Sequence, residues 1–119
     1  IRMQIMATKL LTKQNLRKIY RSFLSLPPFN QYRMPAAHKV TFQIVSDGEA
    51  FGWFINDPPV IKIDKSCETW DQISQTMLHE MVHCMLWYNK HKDFDQHGKR
   101  FEKYAKIVCE MYNFDIEEF

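Results

Sequence analysis

The sequence has no run of 18 apolar residues, so it holds no segment expected to cross a bilayer as a helix. Its start, IRMQIMATKLL, lacks a long apolar core followed by a small-residue cleavage site, and a secretory signal is not expected. There is no internal repeat, no low-complexity segment and no linker, and no C-x-x-C pair among the three cysteines Cys67, Cys84 and Cys109. An odd cysteine count without a signal points to reduced thiols in a cytosolic-type compartment, cytoplasmic or, in a eukaryote, nuclear. Cys84 and Cys109 fall in apolar helical patterns, where a small buried hydrophobe is the expected role. The expectation is one domain spanning residues 1–119, long enough to bury a core without disulfide support.

Acidic residues are missing from a whole third of the chain. Residues 1–46 contain eight Lys/Arg and no Asp or Glu, whereas residues 47–119 carry a balance of −6. The overall charge of +2 hides this split, which hints at an anionic partner. Within it, Lys9, Lys13, Arg17 and Arg21 recur every four residues beside the apolar positions Leu16, Ile19, Tyr20 and Phe23. The spacing predicts an amphipathic helix over 8–25, ended by the prolines at 27 and 28. Its basic stripe reads either as a solvated face or as a surface for phosphates.

Residues 39–46 alternate with the strand period, followed by Asp47-Gly48 and then EAFGWFI. That pattern predicts a β-hairpin over 39–55. Gly52 inside the second arm suggests a bulge or close backbone approach, and VIKID at 60–64 reads as a further short strand after the NDPP break. Residues 69–88 read as a long helix with Trp70, Ile73, Met77, Met81 and Val82 inward, opened by a Thr69/Gln72 capping box. A polar loop leads to a last helix over 99–113 with Phe101, Ala105, Val108 and Tyr112 inward. The fold class is α+β, with a small, mostly antiparallel sheet packed on helices.

Four of the five histidines lie between residues 75 and 98. His79 and His83 are four apart, which on a helix means about 40° in azimuth and about 6 Å in rise, so both imidazoles can converge on one ion. Glu80 is offset by about 100°, too far round to join easily as a ligand but near enough to reach a water activated by the metal. H-E-x-x-H therefore offers two zinc ligands and a general base. Left unpartnered among the apolar residues of MLHEMVHCML, these groups would cost on the order of several kcal/mol, and a metal supplies the partner. Catalytic zinc takes three protein ligands, so a third must lie downstream. The metzincin pattern fails, because Leu86 and Asn89 stand where Gly and His are required. Glu102 in the next helix and His97 just before it remain candidates.

HEMVH, a polar loop and HGKRF together resemble the SprT-like (Spartan-type) zinc metalloproteases, whose pattern is matched by His79, Glu80, His83, His97, Gly98 and Phe101. The likeness covers roughly residues 65–112. It implies a zincin-like domain with His97 as third zinc ligand over Glu102, and leaves His91 as solvated loop. It also implies a strand edge at the cleft for an extended peptide, from EAFGWFI or VIKID. Trp53 and Phe54 read either as pocket residues or, for at least one of them, as core packing. The zinc ribbon and C-terminal extensions of longer members are not expected here. The expected function is zinc-dependent hydrolysis of peptide bonds with Glu80 as base. The resemblance further implies proteins bound or crosslinked to DNA as substrates, and the basic stripe of Lys9, Lys13, Arg17 and Arg21 in the acid-free segment fits a phosphate backbone. The expected state is a monomer with no membrane partner. Two rival readings stand beside this one. One is a catalytically silent, zinc-stabilised interaction module, which would need a fourth protein ligand such as Cys84 or Asp95. The other is metal-dependent hydrolysis of a non-peptide bond.

Overall fold

A computed structural model describes residues 10–119. Helix α1 spans Lys13–Leu24, shorter than the 8–25 expected. Thr12 is extended and its side chain accepts the Asn15 N–H at 3.1 Å, so the helix starts at this cap. Leu16, Ile19, Tyr20 and Phe23 are buried, as their spacing requires. Lys9 lies outside the described residues. Two short 3₁₀ turns, Phe29–Gln31 and Ala37–Lys39, then lead to strand β1 (Thr41–Val45).

Strands β2 (Gly52–Ile55) and β3 (Val60–Asp64) complete a sheet of order β1-β3-β2. The expected 39–55 hairpin does not form. β1 runs parallel to β3, with Thr41 opposite Val60, and β2 runs antiparallel to β3, with Gly52 opposite Ile63. The sheet is therefore mixed rather than mostly antiparallel. The cause lies in Asp64, which is only 2% exposed. Its Oδ1 accepts the N–H groups of Asp47 and Gly48 at 2.9 and 3.1 Å, and its Oδ2 accepts that of Ser66 at 2.9 Å. These three bonds hold the carboxyl well below the usual carboxylate range. Gly48 does adopt the positive φ of a turn, +80°, but the turn is tied to the end of β3 instead of closing on a facing strand. The chain then returns on the far side of β3. The hairpin that exists joins β2 to β3 through residues 56–59, where Asp57 takes φ +53°.

Helix α2 (Trp70–Tyr88) opens with the capping box between Thr69 and Gln72. Ile73, Met77, Leu78, Met81, Val82, Cys84 and Leu86 are all 0% exposed, so α2 is apolar on nearly every side and runs through the centre of the fold. It packs against the sheet, α1 and α3 (Lys99–Tyr112). Trp70, expected inward, is 52% exposed; core contact begins at Ile73. In α3, Phe101, Ala105 and Val108 are buried, while Tyr112 is half-buried and its hydroxyl donates to the Pro27 carbonyl. The fold is α+β. All three cysteines are buried and unpaired, and among the described residues no helix is long and apolar enough to cross a membrane.

Candidate metal centre

One turn of α2 separates His79 from His83, and their ring centroids lie 5.0 Å apart. His97 reaches them from the segment before α3, where Gly98 caps the helix without a side chain. Its Nε2 lies 3.2 Å from His79 Nε2 and 3.0 Å from His83 Nε2. Two nitrogens bound tetrahedrally to zinc at 2.0–2.1 Å would be about 3.3 Å apart, so the spacing suits one small cation.

The outer nitrogens are occupied. His79 Nδ1 meets the Phe119 carbonyl at 2.5 Å and His83 Nδ1 meets the Phe94 carbonyl at 2.6 Å. A carbonyl can only accept, so both Nδ1 atoms carry hydrogen and the neutral rings turn lone pairs inward. Burial, with smaller effects from His83 and His97, lowers the His79 pKa to about 4. Burial is also the largest influence on His83, whose pKa is lowered. His97 Nε2 carries at most one hydrogen, so its two short contacts cannot both be well-directed hydrogen bonds. A cation between the three nitrogens removes that conflict, and the donor set fits a divalent ion taking imidazoles.

Phe101 explains the aromatic position three residues beyond Gly98. Its ring stacks on His83 at 4.6 Å and lies 4.9 and 4.7 Å from His79 and His97. The other sequence candidates stand apart. Glu102 is exposed and His91 half-buried, and neither belongs to the histidine group. Cys84 is buried against Tyr20 of α1, where desolvation pushes its thiol up to about 12. Asp95 lies at the cleft but does not join the three nitrogens.

The histidines open into a cleft of about 420 Å³, lined also by Glu80, Gly52 and Trp53. Glu80 is 5% exposed, and burial raises its carboxyl to about 8. Gly52 makes the close approach anticipated for it: a Cβ there would stand 3.2 Å from Glu80 Oε2 and 2.5 Å from Thr76 Cγ2. β2 is an edge strand and β3 the middle one, so among the described residues only EAFGWFI, of the two arms expected to border substrate, retains a free edge. Phe54 both lines the cleft and packs against Trp87 at 5.8 Å and Phe94 at 6.2 Å.

Sequence reasoning missed both carbonyl partners. Phe94, the one apolar side chain in the segment 89–98, was a usable signal; nothing marked Phe119. It also treated the basic stripe as uniform. Lys13, Arg17, Lys18 and Arg21 line a shallow groove, but Arg17 donates to the Val40 carbonyl at 3.3 Å and lies over the Phe42 ring at 5.4 Å. That groove belongs to α1 on the β1 side of the sheet, whereas the cleft belongs to β2 at the opposite edge.

No curated protein and no solved structure matches the chain. Among protein families, the SprT-like family matches residues 59–118, half of the sequence. That span runs from β3 through α2 and α3 and carries His79, Glu80, His83 and His97 together. On that coverage the chain belongs to the SprT-like family.

Proposed function

We infer that the protein is a zincin-like, zinc-dependent metallopeptidase, and that residues 10–119 act as one catalytic unit. The observation that carries this reading is the convergence of three Nε2 atoms beside a buried carboxylate in an open cleft. His79, His83 and His97 would hold Zn²⁺. When bound, the ion supplies an acidified water and a polarised carbonyl. Glu80 takes the proton of that water on a carboxylate oxygen and hands it to the nitrogen of the leaving amine. Burial alone disfavours the ionised form of Glu80, and a cation held by the three histidines would favour the ionised form that a base needs. β2 offers its free edge to an extended peptide through backbone hydrogen bonds, and Gly52 lets the backbone of β2 itself lie close to Glu80.

Proteins bound to DNA are the proposed substrates. Support comes from the acid-free N-terminal segment and from the groove of Lys13, Lys18 and Arg21, which can follow a phosphate backbone without reading sequence. A silent interaction module is less well supported, since a structural site fills its fourth position with protein and no fourth side chain joins the trio among the described residues. Zinc content and cleavage of an unfolded protein such as casein test the proposal. Glu80→Gln should retain zinc and lose about 10²–10⁴-fold in rate. Wild-type turnover in that variant would overturn the assignment of the base.

A further inference from the structure

His97 comes from the segment 89–98, which contains no helix or strand, yet it must meet two imidazoles held on a rigid helix. Most fasteners of this segment are local or exposed. The His91 N–H donates to the Leu86 carbonyl and the Gln96 N–H to that of Asp93. The Arg100–Asp93 ion pair, 3.1 Å long, has side chains 47% and 37% exposed, so it constrains the segment only weakly. Phe94 differs from all of these. Its ring meets Phe54 of β2 edge to face at 6.2 Å, Phe54 packs on Trp87 of α2 at 5.8 Å, and its own carbonyl accepts from His83 Nδ1. Three residues later, His97 Nε2 reaches the other ring nitrogen of the same histidine.

We propose that Phe94 is a positioning residue for the metal. The Phe54–Phe94 contact fixes the 89–98 segment so that its carbonyl and the His97 imidazole grip opposite nitrogens of His83. This rests on the reading of the histidine trio as a metal site. β2 thus carries two duties: its outer edge faces the cleft, and its Phe54 ring holds the loop that brings the third ligand. Among the described residues the ring contacts of Phe54 are with Trp87 and Phe94 and with none of the three histidines, so comparing Phe54→Ala with the double variant isolates the part of its effect that passes through Phe94.

Zinc affinity, measured by competition with a chromophoric chelator, and the visible absorption of the Co²⁺-substituted protein test this. Thermal unfolding of the metal-free variants serves as a fold control. Phe94→Ala should bind zinc about tenfold more weakly and give a weaker, shifted Co²⁺ spectrum, and Phe94→Leu should recover much of the loss. Phe54→Ala should weaken binding in the same direction. Phe54→Ala/Phe94→Ala should be no worse than Phe94→Ala alone, because both remove one contact. Wild-type affinity in Phe94→Ala, or losses that add independently in the double variant, would overturn the proposal. Should Phe94→Ala fail to fold, wild-type affinity in Phe54→Ala does so equally. Failure of the wild type to bind zinc would overturn the metal reading itself, a result distinct from a wild type that binds while Phe94 variants bind just as well.

Discussion

Gly52 and Glu80 meet across the cleft so closely that a methyl group on residue 52 would stand 3.2 Å from Glu80 Oε2. The same methyl would lie 2.5 Å from Thr76 Cγ2 and 2.9 Å from the Lys62 carbonyl oxygen. Backbone from the edge strand can therefore lie beside the proposed base only while position 52 carries no side chain.

From this it follows that Gly52→Ala should be destabilising by about 1–3 kcal/mol, the usual cost of overpacking. It should also lower kcat more than zinc content, because Glu80 or β2 has to shift. Chemical denaturation, metal analysis and steady-state kinetics check this. Unchanged kinetics and stability would show that the strand and Thr76 yield without cost.

His97, His91 and Glu102 separate cleanly by position. His97→Ala should lower zinc affinity by more than the roughly 10–100-fold typical of losing an outer hydrogen bond to a ligand. His91→Ala and Glu102→Ala should bind zinc as the wild type does, since neither side chain joins the trio. Chelator competition on the three variants side by side decides it, and a loss confined to Glu102→Ala would reassign the third ligand.

Asp64 gives the fold an acid-sensitive anchor. Its carboxyl, ordinarily at 3.8, is lowered by the N–H groups of Ser66, Gly48 and Asp47. A depressed folded-state pKa stabilises the fold above the ordinary value and loses that stabilisation as pH falls towards the folded one. Urea midpoints should therefore decline below about pH 4. Asp64→Asn should start from a lower midpoint at pH 7 and show a shallower decline in acid, so that the two proteins converge. Parallel pH profiles would rule this anchor out.

The groove on α1 leads to a prediction about salt. Replacing Lys13, Lys18 and Arg21 together by Gln should weaken binding to single-stranded DNA and reduce the slope of log K against log salt by about 2. Any stimulation of proteolysis by DNA should fall with it, while DNA-free cleavage stays unchanged, because the groove and the cleft lie at opposite edges of the sheet. Arg17 is left out because its contacts with Val40 and Phe42 are structural. An unaltered salt slope would leave the basic stripe as a solvated face.

Local chemistry explains what could be read in advance. Helix α2 is announced by Thr69 and Gln72 and by an apolar pattern that needs no partner to be recognised. The pairing of His79 with His83 follows from helical pitch alone. The core faces of α1 and α3 follow from the same periodicity, whereas Trp70 does not, because pattern cannot tell where along a helix its partners begin.

The sheet shows the limit. Asp47-Gly48 is a sound turn signal, and Gly48 does take a turn conformation, but which strand receives the returning chain was settled by Asp64, a residue 16 positions away from Gly48. Local propensity ranks turns; it does not say which buried carboxylate will capture their amides.

By itself the sequence determined the helices, the two histidines that share a helix face and the glutamate between them, since each depends on neighbours within one or two turns. The tertiary structure decided the rest: that β2 lies at the edge beside Glu80, that His97 comes to 3.0 Å from His83, and that the carbonyls of Phe94 and Phe119 turn two imidazoles inward. Those relationships join residues between 11 and 40 positions apart, and only packing of the whole chain brings such distant groups within hydrogen-bonding reach.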